Sequence, residues 1–180
     1  MIRAFLALPV PDVLGHVLTI AQHRLRLDNP VPPENFHVTL AFLDAQPEPV
    51  LSELHDQLAL RSLPGAVLRL DGFGVFGGRA PQNLHARIAP DKGLAALHER
   101  VLGACRAVGI ILERRRFVPH VTLARFRPGT IRDSTLAAHL QDHGPLTSDA
   151  MPAPELVLFR STLRPGGSIY DPLAQYPLPG

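Results

Sequence analysis

Cysteine occurs once in these 180 residues, as Cys105. An internal disulfide is therefore excluded, and there is no cysteine cluster to hold zinc. Lysine also occurs once, as Lys92, so the positive charge is carried almost wholly by arginine while the formal net charge is only +2. Arginine suits bidentate contact with phosphate, although a bias in base composition would give the same skew. No apolar run is long enough to span a bilayer, and no charged-then-apolar leader opens the chain. These absences suggest a soluble, cytoplasmic protein that makes no contact with membrane. No carboxylate cluster accompanies the motifs described below, so chemistry built on paired acids has no candidate. What the chain does have is apolar residues, at 46%, enough for a proper core. Its 19 prolines and 14 glycines punctuate apolar runs instead of forming a disordered tract.

The dominant feature is a repeat. His37-Val38-Thr39-Leu40-Ala41 recurs letter for letter as His120-Val121-Thr122-Leu123-Ala124. Both copies are short and β-branched, so both read as strands. Alternation puts His and Thr of each copy on one face, about 7 Å apart along the strand, with Val and Leu on the other. Two such strands flanking a groove would gather two imidazoles and two hydroxyls, a kit for chemistry on a phosphate. A lone His-x-Thr carries little weight, but an exact repeat of the same polar pair is hard to attribute to chance. The competing reading is a structural duplication that leaves both histidines in the core or on the surface.

Around the repeat, residues 2–8 predict a first strand ending at Pro9. A helix begins at Pro11-Asp12, with Val13, Val17, Ile20 and Leu25 as its apolar stripe. His16 and His23 fall off that stripe and are expected in solvent. The rigid Asn29-Pro30-Val31-Pro32-Pro33 connector delivers the first repeat. A second helix, with Val50, Leu51, Leu54 and Leu58, follows it. Two strands come next, 67–76 and 84–88, and Gly72, Gly74, Gly77 and Gly78 read as turn glycines. No Gly-Lys-Ser/Thr follows them, so they are no phosphate loop. Leu84, Ala86 and Ile88 share one face; His85 and Arg87 share the other, which borders a cleft or faces water. A third helix carries Leu94, Leu97, Val101, Cys105 and Val108. Arg114–Arg116 could attract a polyanion or form a solvated edge. A short helix over 130–140, with His139 and His143 near its end, a strand over 155–161, a turn at 164–168 and a last extended segment complete the chain. The spacing of the two repeats, each flanked by helices, implies an α+β fold of two related antiparallel lobes meeting at the pair. No linker separates independent domains, so residues 1–180 are read as a single two-lobed domain.

Such a pair could open a ribose 2′,3′-cyclic phosphate. One imidazole takes a proton from water while the other protonates the leaving ribose oxygen, near neutral pH. Thr39 and Thr122 would hold the non-bridging oxygens. Strict alternation puts Arg125 on the opposite face from His120 and Thr122 unless the strand bulges, so it is a weaker phosphate candidate. His85 is a second candidate substrate contact. No metal and no cofactor enters this scheme.

The twin motifs, with Arg3–Pro9, Pro33–Leu43, Phe73–Phe76, Phe117–Arg125 and Tyr176–Leu178, resemble the two-histidine phosphoesterase superfamily over nearly the whole chain. The nearer likeness is to the bacterial and archaeal RNA 2′,3′-cyclic phosphodiesterases, long also called 2′-5′ RNA ligases. The resemblance implies two α+β lobes about a pseudo-twofold axis with the active site in the cleft between them. It also implies hydrolysis of the cyclic ester to a 2′-phosphomonoester, with His37 as proton donor and His120 as proton acceptor. Near-identical motifs do not by themselves assign those two roles. The expected partner is RNA with a 2′,3′-cyclic phosphate end, or a small cyclic nucleotide, bound by a monomer. One departure stands out: many relatives carry an aromatic residue, often Trp, after the position of Leu84, where this chain has His85. Three alternatives remain open: 2′-5′ ligation by the same chemistry reversed, a non-catalytic module that binds RNA ends, and a metal site built from His37, His85 and His120.

Overall fold

A computed structural model of the chain describes every residue except 28, 79, 114, 115, 128–132 and 166, and describes no side chain at 133–135, 139 and 143. The first three elements are strand β1 (Ile2–Pro9), helix α1 (Asp12–Leu25) and strand β2 (His37–Gln46). Helix α2 (Glu48–Ala59), β3 (Val67–Leu68), β4 (Leu70–Phe76) and β5 (Asn83–Ile88) follow. The second half adds α3 (Lys92–Ala107), β6 (His120–Arg125), α4 (Asp133–His143), β7 (Met151–Pro152), β8 (Glu155–Arg164) and β9 (Gly167–Pro177). Seven strands form one sheet in the order β4-β5-β6-β2-β1-β8-β9, every pair antiparallel, while β3 and β7 make a separate two-stranded ladder. The expected α+β class and antiparallel pairing are observed.

The sheet reads as two halves joined at one point. β6 and β2 pair only at Val121 and Val38. An approximate twofold through that pair exchanges β2 with β6, β1 with β5 and β8 with β4. Across the seam, Leu8, Val38, Val121 and Ala86 line up in register, all without solvent exposure. The helices cross this axis. α1, which follows β1, packs on α4, and its Leu25 joins Leu84, Ala124 and Phe126 of the other half. α3, which follows β5, packs on α2 and β2.

Each repeat carries a bulge at the same place. In the β1–β2 ladder Ala7 pairs with Thr39 and Leu6 with Ala41, leaving Leu40 extra. In the β5–β6 ladder His85 pairs with Thr122 and Leu84 with Ala124, leaving Leu123 extra. One extra residue reverses the alternation of everything after it. Leu and Ala of each copy are thus both buried, and Phe42 and Arg125 emerge, exposed, on the face that carries His and Thr.

Two sequence expectations shift. In α1 the buried stripe is Leu14, Leu18, Ala21 and Leu25, whereas Val13 and Ile20 are 58% and 54% exposed. The helix is apolar on two faces, and the leucine face wins because it meets the sheet. Gly72 and Gly74 lie inside β4, and only Gly77 and Gly78 are in the turn. A Cβ on Gly74 would collide with Nε2 of His85, and one on Gly72, at φ +87°, would stand 2.7 Å from the Arg87 guanidinium. Glycine is needed there for close approach rather than for turning. The start of the fourth helix expected at Thr130 lies outside the described residues, as do Arg114 and Arg115; Arg116 is exposed.

Gln22 on α1 is one of two buried polar residues among those described. Its Nε2 donates to Val31 O and Leu123 O, both at 2.8 Å, fastening the proline connector and β6 to the helix. Gln22→Leu leaves Val31 O without its Gln22 donor and Leu123 O with the Val31 N–H alone, and is expected to cost about 1–3 kcal/mol, read by urea denaturation. A loss below about 0.5 kcal/mol, the scale of an ordinary surface change, would show that these bonds do not hold the halves.

Candidate active site

His37 opens β2 and His120 opens β6, on the two strands that meet at the valine pair. Their local settings are copies. Nδ1–H of His37 donates to Asn35 O, and Nδ1–H of His120 donates to Val118 O, each over 2.7 Å and each two residues upstream. A carbonyl only accepts, so both rings hold their proton on Nδ1 and leave Nε2 as the atom that can gain or lose one.

The neighbours of the two rings differ. His37 is flanked by Phe5, with ring centroids 5.0 Å apart, and by Tyr170, edge-on at 5.3 Å. His120 meets Phe76 edge-on at 4.9 Å and His85 at 4.8 Å. His85 is only 3% exposed, stacks on Phe76 at 4.3 Å and has Nδ1 3.1 Å from Asn83 Oδ1. It therefore reaches the cleft through His120, in the notch that Gly74 leaves open.

His37, Thr122 and Arg125 line one cavity of about 280 Å3, bounded by the 29–32 connector and the β8–β9 hairpin. Strict alternation had set Arg125 on the far face, and the bulge at Leu123 brings it round. His120 and Thr39 lie outside that lining: Thr39 is half-buried opposite Ala7, and His120 is near enough that its charge acts on His37. A second cavity of about 180 Å3, between α1 and residues 144–147, includes neither histidine. Among the described residues, no three His, Cys, Asp or Glu side chains converge to hold a metal ion. None of the described helices is long and apolar enough to cross a membrane.

Burial, reinforced by Arg125 and His120 and opposed by the Asn35 carbonyl, pushes His37 down to about 4. Burial, then the charges on His120 and Arg87, push His85 down to about 4. His120 is also lowered, chiefly by burial, with Arg125 adding to the effect and the Val118 carbonyl opposing it. At neutral pH these imidazoles are therefore held neutral, and an arriving anion would favour their protonation.

The chain matches the family described as the 2'-5' RNA ligase superfamily over residues 10–161, and it belongs to that family. An RNA 2',3'-cyclic phosphodiesterase of Thermus thermophilus is 32% identical over 99% of this chain and 91% of its own length. One from Geobacillus stearothermophilus is also 32% identical over 82% of this chain, but the matched part spans only 46% of that longer protein. A crystal structure of a Thermus thermophilus protein superposes with a TM-score of 0.79 at 27% identity, covering 98% of this chain and 97% of that one. Escherichia coli LigT complexed with 3'-AMP gives the same TM-score at 24% identity, covering 98% of both chains, a likeness of fold.

The lowered histidines have a consequence for stability. Between pH 6.5 and about 4 the unfolded chain binds protons that the rings of His37 and His85 refuse in the fold, so stability falls as pH falls through that window. The melting temperature is expected to drop from pH 7 to pH 4.5, and His85→Phe, which keeps a ring against Phe76, should shallow the drop. An equally steep fall in that variant would remove His85 from the account.

Proposed function

We propose that the chain hydrolyses RNA 2′,3′-cyclic phosphate ends to 2′-phosphomonoesters, and that His37 and His120 act as acid and base. The observation that carries this reading is the matched pair of tautomers: two Nε2 atoms free to exchange protons, beside a cavity with a hydroxyl and a guanidinium. Water attacks phosphorus and gives its proton to Nε2 of His120. The P–O3′ bond breaks, and Nε2–H of His37 protonates the departing oxygen. Thr122 and Arg125 hold the non-bridging oxygens as charge grows on them, with Thr39 the counterpart of Thr122 on the other strand. His37 needs a proton that burial disfavours near neutral pH, and a bound phosphate anion raises its affinity for one. His85 acts on this chemistry through its ring contact with His120.

The names of the relatives agree with hydrolysis, and the family's name points to a reverse reaction on the same groups, with a 5′-hydroxyl replacing water. Water's concentration favours hydrolysis. RNA-end binding without turnover is the reading from another class. It has no use for two exchangeable imidazoles where arginine alone would serve.

A short RNA ending in a 2′,3′-cyclic phosphate should be opened in the presence of EDTA to a 2′-phosphate. A 3′-phosphate product would reverse the assumed leaving group, and an unchanged end with tight binding would leave a binding module. His37→Ala and His120→Ala should abolish turnover with the fold intact. Thr122→Val should cost roughly 10- to 1000-fold, the range for one lost oxyanion donor.

The pH profile is a separate test. Because both rings are lowered from 6.5, the kcat/KM bell, which reports the free enzyme, should have its alkaline limb below pH 6.5. The kcat bell should lie higher, since bound phosphate favours the imidazolium. A flat profile from pH 5 to 9 would sink the two-histidine scheme.

A further inference from the structure

The β8–β9 hairpin does more than border the cleft. β1 pairs with β8 only from Val157 to Arg160, so residues 161–164 and 167–170 are laddered within the hairpin alone. This tip is held in place from two sides. Nδ2 of Asn35 donates to Ser168 O at 3.2 Å, and the Tyr170 ring stands edge-on to His37 and to Phe5. Beyond the His37 cavity lies a further recess of about 550 Å3, and the two share Pro32, Asn35, Arg164, Gly167, Ser168 and Tyr170 as walls. Arg164 therefore stands at the seam between them. It is exposed, and its guanidinium has no polar partner among the described residues. Past the seam the recess turns apolar along Ile169, 46% exposed, with the exposed carboxylate of Glu34 also in its lining.

Resting on the hydrolase reading above, we propose that this further recess is a subsite for the nucleotide preceding the reacting RNA end, with Arg164 holding the phosphate that links the two nucleotides. The terminal cyclic phosphate lies among His37, Thr122 and Arg125, so the next phosphate along the strand meets the next free cation. Ile169 offers the penultimate base an apolar surface that accepts any base, since every base has an apolar face. Glu34 disfavours a further anion inside the recess and accepts from a ribose hydroxyl or a base amino group. The subsite thus takes one nucleoside with one phosphate, and the preferred substrate is an oligonucleotide end rather than a cyclic mononucleotide.

The test compares kcat/KM for a 2′,3′-cyclic mononucleotide with that for a dinucleotide carrying the same cyclic end. The dinucleotide should be favoured at least tenfold, and Arg164→Glu should bring the ratio toward one. A wild-type ratio near one, or a ratio that survives Arg164→Glu, overturns the subsite while leaving the hydrolase standing. Calorimetry on the His37→Ala protein reads the same preference as affinity, independently of turnover. Tighter binding of the dinucleotide, lost on adding Arg164→Glu, supports the subsite even if hydrolysis fails, and equal affinities overturn it.

Discussion

The contact between Val38 and Val121 is the constraint on which the site depends. Both side chains are fully buried, between Leu8 on one side and Ala86 on the other, so the row fixes how the two halves of the sheet abut. Alternation then leaves His37 and Thr39, His120 and Thr122 no choice but the opposite face. The apolar row contributes nothing chemical itself. It is what turns two separate strands into one bifunctional surface.

Approximate symmetry in the backbone coexists with asymmetry in chemistry. The bulge after each Thr is duplicated, yet it presents Phe42 in one half and Arg125 in the other. Pro9 stands opposite His37 where Arg87 stands opposite His120. One wall of the cleft is therefore aromatic, with Phe5, Phe42 and Tyr170, while the other carries guanidinium groups and the tilted imidazole pair of His85 and His120. A nucleotide has the same division into an apolar base and an anionic phosphate, so a symmetric frame can hold an asymmetric ligand in one orientation.

Much of this could be read from the chain. Identical five-residue motifs with β-branched residues specify strands, a shared face and a common partner, because those follow from local geometry. The buried faces of α2 and α3 were legible for the same reason, each having a single apolar stripe. The phase of α1 was not, since two stripes compete and only contact with the sheet chooses between Leu14 and Val13. The place of Arg125 also escaped, because a bulge is decided by pairing with β5 and leaves no mark on β6 itself. Gly72 and Gly74 looked like turn residues because the reason for them, the side chains of Arg87 and His85, lies on the neighbouring strand. The hairpin that walls the cleft comes from the last part of the chain and packs beside Asn35 only in three dimensions.

The crossed helices bear on how such a molecule could arise or be divided. β1-α1-β2-α2 corresponds to β5-α3-β6-α4, and in each set the first helix covers the other set's strands. A lone ancestral copy folded this way would leave its own strands bare and present its helix to a second copy. The architecture is therefore that of an exchanged homodimer written into one polypeptide. Held in one polypeptide, the two sets can carry different residues at the matched position, Phe42 in one and Arg125 in the other, while each keeps the partner it packs against.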